Sequence, residues 1–102
     1  MQTQSDSRFR TVAILKTRPE NAAELREHLL ALVDPSRQDE GCITYILHEA
    51  INRPGVFVFY EGWEDEAAID AHIATDKLQR LKEITDRLLI EPEDIYYMNI
   101  LK

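Results

Sequence analysis

The chain has 102 residues, of which 44% are hydrophobic, and this is enough for one domain with a modest core. The formal net charge of −7 disfavours nucleic acid as a partner, because phosphate binding requires a cationic surface. No apolar run approaches the about 18 residues of a membrane span, and the amino terminus lacks a signal-peptide pattern. A single cysteine, Cys42, cannot form an internal disulfide. We therefore expect a cytoplasmic protein without membrane contact.

The residues that most often bind metals are scattered along the chain. His28, His48, His72 and Cys42 show no zinc-site spacing such as CxxC or HExxH. Only His48 and Cys42 are expected to share a strand face, and two such ligands are a weak basis for a site. The sequence therefore predicts no metal site.

Residues 1–8 are polar and are expected to form a disordered tail, followed by a single domain over residues 9–102. The apolar, β-branched stretch 9–16 predicts the first strand. Asn21 and Glu24 have the spacing of a capping box at the start of a helix. The apolar stripe of that helix comprises Ala22, Leu25, Leu29, Leu32 and Val33.

Pro35 is expected to limit the first helix, and a polar connector follows it. Residues 42–50 predict the second strand and residues 56–63 the third. The short link between them contains Pro54 and Gly55, which are typical of turns. These two strands are therefore predicted to form an antiparallel hairpin.

Two further helices and a strand complete the chain. Asp65 is expected to cap a helix through about Ala74, and Asp76 a second one. The apolar residues of the second of these helices are Leu78, Leu81, Ile84 and Leu88. Residues 95–101 predict the fourth strand.

The order βαββαβ predicts an α+β, ferredoxin-like fold, in which a four-stranded antiparallel sheet carries its helices on one face. A sheet with water on its other face should alternate apolar and polar residues. The third strand instead has Phe57 and Phe59 on one side and Val58 and Tyr60 on the other. The second face is therefore expected to be covered, most simply by a second copy in a homodimer packed sheet to sheet.

His72 is the main candidate for a functional side chain. It lies between Ile69 and Ile73 in helical register, so its ring is predicted to face the sheet. Glu61 and Trp63 share one strand face, and all three residues would line a pocket if that face meets the helix. A neutral imidazole against apolar walls can transfer a proton near pH 7. The alternative is a hydrogen-bonded core histidine with Trp63 as a packing residue.

Two more side chains are candidates for substrate contacts. Tyr45 can donate a hydrogen bond to a ligand oxygen, although sheet packing with the hydroxyl at the rim is the alternative. Phe59 shares a strand face with Glu61 and is predicted to contact the substrate with its ring.

Residues 40–81 combine several recurring features. They contain "EGCITY" with Tyr45, a strand that ends in E-x-W at Glu61 and Trp63, and a helical "DAH" that ends at His72. This combination resembles the antibiotic biosynthesis monooxygenase domain family. The resemblance implies a dimeric α/β barrel. It also implies one of several activities: cofactor-free oxidation of phenols or quinols, haem degradation, or isomerisation of small phosphorylated sugars.

At two positions this chain departs from the patterns of this family, and the departures bear on which of these activities is expected. Quinol-oxidising members often carry a second histidine after the A-H-x-x-T-P stretch, and Lys77 stands there in this chain. Haem-degrading members use a helix tryptophan and a ligating histidine, at places where this chain has His72 and Lys82. Haem degradation is therefore disfavoured.

The favoured interpretation is a monooxygenase, independent of metal and flavin, that oxidises a small phenolic or quinol-type aromatic with O₂. His72 would handle the proton, with Glu61 as its partner in catalysis. The predicted substrate contacts are Trp63, Tyr45 and Phe59. One alternative is a non-catalytic or small-ligand-binding dimer. Another is an isomerase of a phosphorylated metabolite, in which Lys77 and Arg80 would hold the phosphate.

Overall fold

The computed structural model describes residues 9–102, so the predicted tail over residues 1–8 lies outside the described residues. The strands are β1 (Phe9–Lys16), β2 (Cys42–Glu49), β3 (Val56–Trp63) and β4 (Asp94–Met98), and the helices are α1 (Ala22–Arg37), α2 (Glu66–Ile73) and α3 (Asp76–Leu88). All strand pairs are antiparallel, in the order β2-β3-β1-β4. The fold is ferredoxin-like, as predicted. No helix in this part of the chain is long and apolar enough to cross a membrane.

The core lies between the sheet and the helices, because strand and helix periodicities bring their apolar faces together. Alternate residues of β1 and β3 are buried, including Leu15 and Phe57, and the stripe of α1 that contains Leu25 and Leu29 packs in the same core. Burial of one such side chain contributes roughly 1.5–3 kcal/mol.

The first helix differs from its predicted boundaries at both ends. A 3₁₀ turn over Pro19–Asn21 leads directly into α1, and Asn21 makes no side-chain cap. The capping box of Asn21 and Glu24 is therefore wrong, because the turn gives Asn21 a φ of −102° and a ψ of 1° rather than extended backbone. Pro35 lies inside α1, which continues for two more residues to Arg37, so the proline stands in the last turn of the helix rather than at its end.

The later element boundaries agree more closely with prediction. Asp65 caps α2, and its side chain accepts a hydrogen bond of 2.9 Å from the backbone of Ala68. Thr75, rather than Asp76, occupies the N-cap position of α3. The fourth strand ends at Met98, short of the predicted end at residue 101.

The face of the sheet that points away from the helices, here called the outer face, is rich in apolar side chains. Its register places Met98 opposite Arg10 and Tyr96 opposite Val12, whereas Tyr97 lies on the helix side. Tyr96 is 52% exposed in the single chain. The other large apolar members of the outer face are Ile14, Ile46, Val58 and Tyr60. The predicted two-sided apolar pattern is thus present.

Candidate active site

A cavity of about 570 Å³ lies between the helix side of the sheet and the helices α2 and α3. Its volume is within the roughly 300–1,000 Å³ of small-molecule sites. Its lining includes Ile90, Ile95 and Tyr97, which are all exposed, so the cavity opens at the protein surface. A ligand can therefore reach it from solvent.

One row of polar side chains, here called the polar row, crosses all strands of the sheet at the cavity. Tyr45 pairs with Glu61, Glu61 with Thr11, and Thr11 with Tyr97. All four residues line the cavity. Neighbouring strands are about 4.8 Å apart, so the row presents a polar group at each such step.

The next row of the sheet on the same side is apolar. Phe59 pairs with Ala13, and Ala13 pairs with Ile95. These three residues also line the cavity. The sheet therefore offers a ligand hydrogen-bonding groups along one line and an apolar surface beside it.

Glu61 is a buried carboxyl group, 7% exposed, in the polar row. The indole nitrogen Nε1 of Trp63 donates a hydrogen bond of 2.9 Å to its Oε1. Burial raises the pKa of Glu61 to about 7, although the Trp63 bond acts in the opposite direction, and the charge of Glu93 raises it further. Near neutral pH this group can therefore either accept or donate a proton.

His72, which is 3% exposed, also lines the cavity. Its Nδ1 lies 2.7 Å from Oδ2 of Asp39, and Nζ of Lys77 donates to both oxygens of Asp39 at 2.8 Å. Burial lowers the pKa of His72, with Asp39 acting in the opposite direction. The imidazole is therefore neutral at pH 7, with Nε2 free of hydrogen bonds among the described residues.

Aromatic rings hold the imidazole in place. The ring centroids of Trp63 and Tyr45 lie 4.6 Å and 5.4 Å from that of His72. Trp63 is 0% exposed and does not belong to the cavity lining. It contacts Glu61 and His72 on the side that is turned away from the cavity. Burial raises the pKa of Tyr45 far above its usual value, which keeps its hydroxyl protonated as a donor. The predicted residues that do reach the cavity are His72, Glu61, Tyr45 and Phe59.

Sequence reasoning missed Asp39, Thr11 and Tyr97. Thr11 carries a detectable signal, because it is a polar residue at a buried position of an otherwise apolar strand face. Asp39 is 33 residues from its partner His72, and no periodicity relates them. Its neighbour Gly41 has a φ of +82°, and a Cβ there would lie 2.5 Å from the Cβ of Ala68. Glycine thus lets the connector approach α2 closely enough for Asp39 to contact His72.

The basic residues considered for a phosphate are not at the cavity. Lys77 is paired with Asp39. Among residues 9–102, neither Lys77 nor Arg80 contributes to the lining of the cavity. Within residues 9–102, no group of three or more His, Cys, Asp or Glu side chains is arranged to hold a metal ion.

Comparison with known sequences supplies the family. The family described as antibiotic biosynthesis monooxygenase matches residues 8–84, which is most of the chain. The chain belongs to the antibiotic biosynthesis monooxygenase family. The match includes every predicted site residue and Asp39, but it ends before β4, which contributes Tyr97.

Two curated proteins are similar to this chain at moderate sequence identity. "Putative monooxygenase YcnE" of Bacillus subtilis (strain 168) is 35% identical over 83 residues, which cover 81% of this chain and 87% of that protein. The uncharacterized protein sll1783 of Synechocystis is 31% identical over 81 residues, or 79% of this chain. The aligned part spans 55% of sll1783, so this relative is considerably longer.

Solved structures agree with the fold. PA3566 from Pseudomonas aeruginosa has a TM-score of 0.87 and 29% identity, with coverage of 98% of this chain and 100% of that chain. Rv0793 from Mycobacterium tuberculosis has a TM-score of 0.85 and 26% identity, with coverage of 92% and 95%. The antibiotic biosynthesis monooxygenase fold therefore extends over nearly the whole chain, including β4.

Proposed function

We propose that this chain is a monooxygenase that oxidises a small, neutral phenol or hydroquinone with O₂. The observation that carries the proposal is the surface-connected cavity in which His72 and Glu61 lie against apolar walls. Membership of the antibiotic biosynthesis monooxygenase family and the names of its relatives support the reaction class.

The chemistry starts with removal of a proton from a ring hydroxyl. Nε2 of His72 accepts it, and the resulting electron-rich anion reacts with O₂. For a hydroquinone, the overall change is hydroquinone plus O₂ to hydroxyquinone plus water. The substrate supplies the electrons that reduce the second oxygen atom, so the equation balances without another reductant. The protein contributes orientation and proton transfer, and the latter is worth about 10²–10⁴-fold in rate.

The charges of the cavity favour a neutral ligand over an anionic one. Its acidic lining residues are Glu61, Asp86, Glu91 and Glu93, and its lysine is Lys82. A phosphate group would meet mostly carboxyl groups, because Lys77 and Arg80 lie elsewhere. The isomerase alternative is therefore disfavoured. A binding protein without catalysis remains the second candidate, since the same cavity would serve it.

Oxygen uptake with a panel of phenols and hydroquinones tests the proposal, in buffer treated with a metal chelator. We expect uptake together with a product that carries one additional oxygen atom by mass spectrometry. Binding of these compounds without oxygen uptake would favour the ligand-binding candidate and contradict the monooxygenase.

Substitution of His72 tests its assigned role. His72→Gln keeps much of the volume but cannot act as a base near neutral pH, so we expect a folded variant whose kcat/KM falls about 10²–10⁴-fold. His28→Gln is the matched control, because the side chain of His28 is 38% exposed on α1 and does not line the cavity. A His72→Gln variant as active as the parent would exclude His72 as the base and make Glu61 the next residue to test.

A further inference from the structure

Asp39 contacts the catalytic candidate from outside the cavity. It lies in the connector between α1 and β2, and its side chain is only 20% exposed. Its Oδ2 is 2.7 Å from Nδ1 of His72. His72 belongs to α2, which follows β2 and β3 in the chain. Both Lys77 hydrogen bonds end on the same carboxyl group. The contact therefore belongs to a three-residue network rather than to one surface pair.

The ionisation of Asp39 determines which nitrogen of His72 carries the proton. Burial acts to raise the pKa of Asp39, but the bonds from His72 and Lys77 outweigh it and lower that pKa. The carboxylate is thus ionised at neutral pH and can only accept hydrogen bonds. A neutral imidazole next to it must donate from Nδ1, and this leaves the lone pair on Nε2.

We propose that Asp39 is a positioning residue, which holds His72 in the Nδ1–H tautomer and so makes Nε2 the basic atom. Lys77 is the counter-ion that keeps Asp39 ionised and moderates its effect on His72. The importance of this network for catalysis rests on the proposed function. The tautomer and its dependence on Asp39 do not, because they are properties of the protein without substrate.

Other groups packed around the imidazole leave this assignment unchanged. Tyr45 and Trp63 contact the ring from the sheet, and neither carries a charge near neutral pH. Glu61 faces the same cavity but its carboxyl is bonded to Trp63. Lys77 from α3 reaches the network through Asp39.

NMR of protein labelled with ¹⁵N in its histidines tests the proposal directly. We expect the ring nitrogen shifts of His72 at pH 8 to show the Nδ1–H tautomer. Asp39→Asn removes the negative charge, so the pKa of His72 should fall. Lys77→Met removes a positive charge that lowers the His72 pKa, so that pKa should rise. The two substitutions are therefore expected to shift the His72 pKa in opposite directions. A general loss of packing around His72 does not predict opposite shifts.

Controls are available within the same spectra. His28 and His48 lie away from the network, so their ring nitrogen signals should be the same in the variants as in the parent. Asp39→Glu keeps the charge and should retain the tautomer. An Nε2–H tautomer in the parent, or pKa changes of the same sign in Asp39→Asn and Lys77→Met, would overturn the proposal. If Asp39→Asn does not fold, the Lys77→Met and Asp39→Glu measurements still decide the question.

Kinetics give the second readout, provided that oxygen uptake is found. Asp39→Asn should lower kcat about 10- to 100-fold with little change in KM, by analogy with the losses that follow removal of the hydrogen-bond partners of metal-binding histidines. The acidic limb of the kcat/KM profile should move to lower pH. Unchanged kcat would contradict the positioning role. Absence of oxygen uptake in a parent that has the expected tautomer would contradict the proposed function alone.

Discussion

At the scale of single residues, Glu61 gives the protein a distinctive pH dependence. Its pKa of about 7 in the folded chain is above the ordinary value of 4.5. Between these two pH values the folded chain binds a proton that the unfolded chain has released. The free energy of unfolding should therefore fall as pH rises across this window, by up to about 3 kcal/mol from this group.

Glu61→Gln should remove that loss of stability. The amide stays neutral at every pH and can still accept the hydrogen bond from Trp63, so the variant should gain stability over the parent at pH 8 but not at pH 4. Urea unfolding at both pH values measures the difference. Glu64→Gln, at an exposed position, is the matched control and should follow the parent. Parallel pH profiles for the parent and Glu61→Gln would contradict a buried, protonated carboxyl.

The site illustrates which residues can be found from sequence. His72, Glu61 and Tyr45 follow from helical register and strand parity, because each of these patterns concerns one element. Thr11 and Tyr97 join them only through strand register, which periodicity does not provide. Asp39 requires the path of an irregular connector. Sequence reasoning therefore finds the side chains that one element orients and misses those placed by pairing between elements.

At the scale of secondary-structure elements, the starts of the helices also show what a sequence pattern predicts and what depends on the neighbouring backbone. The sequence patterns predict the three α-helices and four strands of residues 9–102, yet the capping box of Asn21 is wrong and the cap of Asp65 is confirmed. Asp65 has extended backbone, whereas Asn21 ends a 3₁₀ turn that alters its dihedral angles. The sequence pattern alone does not distinguish these two helix starts, because Asp and Asn side chains are compatible both with extended backbone and with the end of a 3₁₀ turn.

The two helix starts predict losses of stability of different size. Asp65→Ala removes the acceptor for the Ala68 backbone N–H and should cost about 1 kcal/mol. Asn21→Ala removes no side-chain cap and should cost much less. Chemical denaturation of both variants measures the comparison. Equal losses would show that the Asp65 bond contributes nothing specific to α2.

At the scale of the whole molecule, we propose that the outer face forms the interface of a homodimer. Its apolar side chains extend over all strands, and Ile46 is 42% exposed in the single chain. Contact with a second copy would remove this apolar surface from water. An association of this kind matches the homodimer expected from the two-sided strand pattern.

Met98→Lys should shift the equilibrium toward the monomer, because it places a charge on the outer face. Leu30→Lys is the matched control, since Leu30 is an exposed apolar residue of α1, distant from that face. Sedimentation velocity at micromolar concentration should show a dimer for the parent and for Leu30→Lys. A parent that sediments as a stable monomer would exclude the interface.

The polar row has a consequence for how such a protein can diverge. Each of its members belongs to a different strand, and each is flanked along its own strand by residues that hold the sheet together. An exchange at Thr11 or Tyr97 therefore changes the hydrogen-bonding pattern offered to a ligand while the helices and the His72 network keep their contacts. The ligand preference can therefore change by substitution in the sheet while the bond between His72 and Asp39 stays in place, provided that the new side chain at Thr11, which is 1% exposed, keeps a similar volume.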